Sequence, residues 1–283
     1  MKTMTMEHAV AGLRTNLSAR LAARLGVLVL ASVGIGGCAS HQAGALRADT
    51  YEARKKLTRE LVARQEWAAA FAFADELHRA RPNDAEVLVL RGTVYRERGL
   101  TAEAEADLLQ AVQLDDQSAE AHAALGILYD VDQRPDVAEK QHRLAVERDP
   151  NNAAYLNNLG FSLFLRGKFQ DAIKFYSQAA RLTPTNRRLR TNLGFALAAR
   201  GDFRRAAHEF DMGGSPAESK NNLGFAYERK GDLKNAFDMY TEAARLDPSS
   251  TKVHSNLVHA AEKLGKELPP DLAGEPVKKE TAP

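Results

Sequence analysis

From residue 51 the sequence repeats itself every 34 residues, and that period decides what the chain can fold into. Gly92, Gly126, Gly160 and Gly194 stand 34 apart. A second phase, the fifteenth place of each unit, holds Gly99, Gly167, Gly201, Gly231 and Gly265. A third, the twentieth place, holds Ala70, Ala104, Ala138, Ala172, Ala206 and Ala236, and Pro82, Pro150, Pro184 and Pro248 close units. Each phase answers a separate constraint. A small residue at places 8 and 20 lets two helices cross closely, and bulky ones at 4, 7, 11 and 24 fill the space around the crossing with helical spacing. Glycine at place 15 supplies the left-handed turn that ends a first helix. Asp202 and Asp232, directly after it, are suited to cap a second helix. Proline at place 32 stops that helix, having no N–H with which to continue it.

The clearest copy runs Leu156, Leu159, Gly160, Leu163, Gly167, Ala172, Tyr176, Ala179 and Pro184. This is the signature that the tetratricopeptide repeat (TPR) shows. The resemblance covers about 215 residues and implies an all-α TPR superhelical solenoid of antiparallel helix hairpins. The predicted units are 51–84, 85–118, 119–152, 153–186, 187–216 and 217–250, and a capping helix over 251–265 covers the last apolar face. The first unit is degenerate, with Thr58 and Gln65 in the glycine places, and the third has Gln133 there with Pro135 close behind it. The fifth is short, since Gly194 and Gly224 are only 30 apart, and a break in superhelical pitch is expected at Gly213-Gly214-Ser215-Pro216. Residues 266–283, with Pro269 and Pro270 and little apolar periodicity, read as a disordered tail.

The amino terminus has a different character. Residues 1–37 carry Lys2, Arg14, Arg20 and Arg24 against the single acid Glu7, and Leu25 to Ile35 form an apolar run. Eleven residues fall short of the roughly 20 that a permanent membrane span needs. With a basic start ahead of them they read as a secretory signal, with translation starting at Met1, Met4 or Met6. Ile35-Gly36-Gly37-Cys38 resembles the bacterial lipobox, in which the cysteine becomes the lipidated N-terminus. Cys38 is the sole cysteine of the chain. The expected organisation is therefore a lipoprotein signal peptide over 1–37, a lipid-anchored tether over 38–50, the repeat array over 51–265 and the tail. Ala39 after the cysteine lacks the aspartate that retains such lipoproteins in the inner membrane. The resemblance thus implies an outer membrane lipoprotein facing the periplasm, held to the membrane through its lipid alone. Of the 39 Lys and Arg and 37 Asp and Glu of the chain, the part after residue 37 keeps 35 and 36. Near-neutrality gives no electrostatic reason to expect nucleic-acid binding, and none is expected.

In a stack of such hairpins the first helices line the concave side. Places 2, 5, 6, 9, 12 and 13 then look into a groove. Place 9 holds Phe161, Phe195 and Phe225 in three successive units. Place 6 holds Asn158, Asn192, Asn222 and Asn256, and place 5 holds Asn157 and Asn221. Phenyl rings would take apolar side chains while carboxamides, both donors and acceptors, would pair with a peptide backbone. The cations of this groove, Arg188 and Arg229, are sparse. No histidine pair, Gly-rich loop or nucleophile elbow points to catalysis, a cofactor or a metal, and the eight histidines read as surface or core residues. The expected role is protein–protein interaction, not an enzymatic one.

Two features resemble the TadD family of tight-adherence (Flp) pilus assembly lipoproteins. One is the set of unit starts Asn157-Asn158-Leu159-Gly160, Thr191-Asn192-Leu193-Gly194 and Asn221-Asn222-Leu223-Gly224. The other is the short unit running into Ser215-Pro216-Ala217-Glu218. That resemblance implies a scaffold in pilus or secretion assembly, with a secretin or another pilus component as protein partner. The near-consensus last unit, with Tyr227, Ala236, Tyr240 and Pro248, departs from the family. A type IV pilus secretin-pilot lipoprotein and a general envelope adaptor that recruits a peptidoglycan enzyme or protease stay open as alternatives.

Overall fold

A computed structural model describes residues 39–273, so Cys38 and the apolar run before it lie outside the described residues. The chain divides into two compact units, residues 1–47 and 48–283. All regular structure among the described residues is helical. The hairpins are α1 (Ala39–Ala63) with α2 (Trp67–Ala80), α3 (Ala85–Glu97) with α4 (Thr101–Leu114), and α5 (Ala119–Val131) with α6 (Pro135–Arg148). They continue as α7 (Ala153–Leu165) with α8 (Phe169–Leu182), α9 (Arg187–Arg200) with α10 (Phe203–Gly213), and α11 (Pro216–Arg229) with α12 (Leu233–Leu246). The single helix α13 (Thr251–Leu264) ends the stack.

The glycines at place 8 explain why hairpins form. A Cβ added to Gly160 would come within 2.9 Å of the Tyr176 ring, and one on Gly194 within 2.5 Å of Phe210. Leu108, His142 and Tyr240 press on Gly92, Gly126 and Gly224 in the same way. From the second unit to the sixth, each second helix thus drives one large side chain onto a bare stretch of first-helix backbone. Truncating such a side chain to alanine costs about 2–5 kcal/mol.

The turn at place 15 is left-handed throughout, and it stays so where glycine is missing. Gly167 has φ 71°, while Gln65 and Gln133 adopt φ 61° and 57°. The hairpin geometry therefore overrides local preference in the first and third units. Asp202 and Asp232 cap α10 and α12 by accepting from the backbone of Arg205 and Asn235. Proline is dispensable as a stop signal, because α4 ends at Leu114 before Asp115-Asp116 as its proline-bearing counterparts end before theirs.

The segment expected as a tether, residues 38–50, is helical from Ala39 on. One expectation about the ends needs correction. The tail expected to be disordered from residue 266 is folded back up to Ala273. Leu272 is buried beside Leu257 and Phe237, Asp271 accepts from Arg245 Nε at 2.9 Å, and His254 Nε2 lies 3.2 Å from the Leu272 carbonyl. Spaced apolar residues, Leu264, Leu268 and Leu272, cover the end of the stack although they belong to no repeating unit.

The short fifth unit loses its residues at one place. Helix α10 has 11 residues where α8 and α12 have 14, and only Gly214-Ser215 separates it from α11. Gly213 makes this tight exit possible: a Cβ there would meet Thr191 Oγ1 at 2.9 Å and the Arg187 carbonyl at 3.1 Å. Helix α11 starts with a capping box, in which Ser215 and Glu218 each accept from the other's backbone N–H. The Ser215 backbone N–H holds the Glu218 carboxyl below its usual range against the opposing effect of burial, and Arg187 adds to it.

The buried apolar residues do not form one continuous core. One cluster runs from Leu88 to Ala138, and the next from Leu156 to Ala226. Between the third and fourth units Val146 of α6 packs against the second cluster, and polar contacts stand beside it. Asp130 on α5 accepts from Ser162 Oγ of α7 at 2.9 Å and lies 3.0 Å from His142 Nε2 of α6.

Candidate protein-binding groove

Helix α7 touches α9, and α9 touches α11, so the first helices of three units stand side by side. Asparagines stitch this row together. Asn192 Nδ2 donates to Asn157 Oδ1 at 2.8 Å, and Asn256 Nδ2 donates to Asn221 Oδ1 at 2.8 Å. The same bond thus joins place 5 of one unit to place 6 of the next, once between α7 and α9 and once between α11 and α13. Between α9 and α11 it is missing because place 5 is Thr191, whose hydroxyl donates to the Arg187 carbonyl instead.

This divides the nine candidate groove residues into two kinds. Asn157 and Asn221 are buried and act in the seam. Asn158, Asn192, Asn222 and Asn256 are half-buried; Asn192 and Asn256 donate into the seam, and the Asn222 side chain has no hydrogen-bond partner among the described residues. The phenylalanines also separate. Phe195 is half-buried, with its ring edge-on to Phe210 at 4.9 Å and to Phe225 at 5.9 Å. Phe161 and Phe225 are 43% and 41% exposed.

The apolar surface extends beyond the residues expected from sequence. Val131 on α5 is 66% exposed and Leu165 on α7 is 37% exposed. They share place 13, and Ile127 and Phe161 share place 9 one turn earlier. The register assigns all four to the groove, but only an aromatic side chain stands out there by its type; an aliphatic one resembles its core neighbours. A second addition concerns charge. A cleft of about 560 Å³ opens where the short unit draws α9, α11 and the start of α13 together, and Arg187, Thr191, Asn221, Asn222, Asp247 and Lys252 are among its lining residues. Arg187 and Lys252 do not figure among the groove cations expected from sequence. Arg187 stands at place 1, outside the groove places, and Lys252 lies on the capping helix.

At the far end Glu228 on α11 gathers Tyr240 Oη at 2.9 Å and Lys263 Nζ at 3.0 Å. Burial raises its carboxyl, but these two hydrogen bonds outweigh burial and the net shift is downward. Among the described residues no group of three or more His, Cys, Asp or Glu side chains is placed to hold a metal ion. None of the described helices is long and apolar enough to cross a membrane.

Small residues at the crossings, a large side chain on each from the second unit to the sixth and a left-handed turn at each hairpin define a tetratricopeptide-repeat superhelix. Family models of the tetratricopeptide repeat match residues 85–118, 153–186 and 217–250. The chain is 31% identical over 103 residues to the type IV pilus assembly protein PilF of Pseudomonas aeruginosa, strain PAO1. The alignment takes in 36% of this chain and 41% of that protein, so the chain spans about two-fifths of the length of this relative. Among solved structures, PilW, described as a widely conserved type IV pilus biogenesis factor, superposes with a TM-score of 0.61 at 17% identity, covering 74% of this chain and 98% of PilW. Pseudomonas aeruginosa PilF superposes with a TM-score of 0.59 at 17% identity, covering 75% and 99%. At that identity the two structures show the shared fold.

Proposed function

We propose that the chain is an envelope-anchored TPR scaffold that takes part in pilus assembly by holding a protein segment in the groove of α5, α7, α9 and α11. The observation that carries this reading is the exposure of Phe161 and Phe225 on first helices whose half-buried carboxamides keep donor or acceptor capacity beyond the Asn192–Asn157 and Asn256–Asn221 bonds. An exposed apolar strip bordered by groups that both donate and accept suits a peptide whose side chains are apolar and whose backbone needs partners. Lipidation at Cys38, resting on Ile35 to Cys38, supplies the anchor and an address at the outer membrane facing the periplasm.

Two pilus classes fit. The tight-adherence reading rests on the Asn-Asn-Leu-Gly unit starts. The type IV reading is the better supported, because 31% identity to PilF extends over 103 residues. In either, the segment held in the groove belongs to a secretin or another pilus component.

The test is co-purification from the envelope of the native host with the Phe161→Ala/Phe225→Ala double variant. Phe161 is exposed and Phe225 gives up only its edge contact with Phe195, so the array stays folded, and recovery of pilus components drops at least tenfold. Unchanged recovery overturns the groove. Detergent phase partition of the wild type and Cys38→Ser tests the anchor, which fails if both stay in the aqueous phase.

A further inference from the structure

The joint between the third and fourth units holds a charged cleft that the groove does not use. Glu139 on α6 is buried, and it accepts from Arg143 at 2.8 Å, from Lys168 Nζ at 2.8 Å and from Arg166. Arg166 also donates to Asp136 at 2.6 Å. A cleft of about 490 Å³ opens beside them, lined by Asp136, Glu139, Lys140, Arg143, Arg166 and Lys168. Four cations therefore face two carboxylates. The Asp136 side chain is 80% exposed at the rim, and the Lys140 side chain has no ion-pair or hydrogen-bond partner among the described residues.

The surroundings add to this surplus. Residues 134–210 carry 14 Lys and Arg against 7 Asp and Glu, whereas residues 51–133 carry 10 against 16. Near-neutrality of the whole chain hides a positive middle and a negative start. A cleft within the positive stretch concentrates anions. Guanidinium forks that have spent only part of their five donors match the tetrahedral oxygens of phosphate, and lysines add point charge. Glu139, with its oxygens already occupied, gathers Arg143, Arg166 and Lys168 at the floor.

We propose that this cleft binds a phosphate-class anion, either free phosphate or the phosphate of a lipid headgroup, between Lys140, Arg143, Arg166 and Lys168. The test uses the full chain carrying Cys38→Ser. Inorganic phosphate is titrated against sodium chloride of equal ionic strength, and the thermal midpoint is followed. A saturable rise of about 2–4 °C is expected for phosphate alone. Lys140→Glu removes it without lowering the midpoint in chloride, since Lys140 makes no ion pair. Lys234→Glu, the same charge change at an exposed lysine of α12, leaves the rise in place.

In parallel, sedimentation with phosphatidylglycerol vesicles is compared with phosphatidylcholine vesicles. Binding to the anionic vesicles that Lys140→Glu abolishes and Lys234→Glu keeps, without a response to free phosphate, assigns the cleft to a headgroup. A response to neither probe overturns the proposal, as does one that the two variants weaken equally. None of these readouts depends on the groove.

Discussion

The second and third units differ from the fourth to sixth in the seam between their first helices. Where α3 meets α5 the seam is apolar and closed: Val89, Leu90, Ala123 and Ala124 are all buried. At the same places in α7, α9, α11 and α13 stand asparagines, Thr191 and Ser255. The fold tolerates both because the spacing is set by the large side chain on each glycine, not by the seam. What changes is the concave face. An apolar seam seals itself, whereas a carboxamide seam spends one hydrogen-bonding edge on its neighbour and leaves others directed outward. The polar joint at Asp130, His142 and Ser162 separates the two regimes.

The strongest way to break this comparison is to attack what the two halves share. Phe210→Ala and Leu108→Ala each remove a buried side chain from a glycine crossing, one in each half, and costs of about 3–5 and 2–5 kcal/mol are expected. Urea denaturation followed by circular dichroism reads both. If Leu108→Ala were near-neutral, the apolar seam alone would hold the first half together. A smaller effect probes the seam itself. Asn157→Leu should lose about 1 kcal/mol by leaving Asn192 without its acceptor. Adding Asn192→Leu should restore most of that loss by recreating the apolar type. A double-mutant cycle with no coupling would show that the 2.8 Å bond is incidental.

The turns allow a comparison of similar size. Gln133→Gly relieves a left-handed glutamine and should gain about 1 kcal/mol, while Gly167→Gln should lose a similar amount. Matching midpoints for both variants and wild type would show that these turns hold no backbone strain. The smallest effect concerns acid. Burial pushes the Glu139 carboxyl up, but Lys168, Arg143 and Arg166 outweigh it, so its net shift is downward like that of Glu228. A carboxyl lowered on folding contributes stability that is complete above the ordinary carboxylate range and is lost as pH falls through the folded value. Glu139→Gln should therefore flatten the acid limb of a midpoint-against-pH curve, and an unchanged limb would show that Glu139 does not drive it.

Much of the array is legible in the sequence. The start of each first helix from α3 to α9 coincides with the unit boundary read from the glycine phase, and the caps at Asp202 and Asp232 lie where the residue type places them. The ends are less legible because their signals are not periodic. Leu264, Leu268 and Leu272 cover the last helix without a repeating unit, and Ala39 to Thr50 are helical without any consensus place. In the groove, the row of Phe161, Phe195 and Phe225 is visible, but their unequal exposure is not. It arises from the packing of neighbouring elements, with Phe195 edge-on to Phe210 of α10 and to Phe225 of α11 while Phe161 stays exposed. Val131 and Leu165 escape a reading by residue type, since an exposed aliphatic residue looks, in sequence, like a buried one.

The sequence by itself determined the repeat, its register and the hairpin contacts, because each depends on residue type at a fixed separation along one helix pair. Only the tertiary structure decided which asparagines are spent on the seam and which face outward. It also decided that the charges of α6 and the α7–α8 turn converge on Glu139. Both outcomes depend on distances between side chains about 30 residues apart, which follow from how successive units stack.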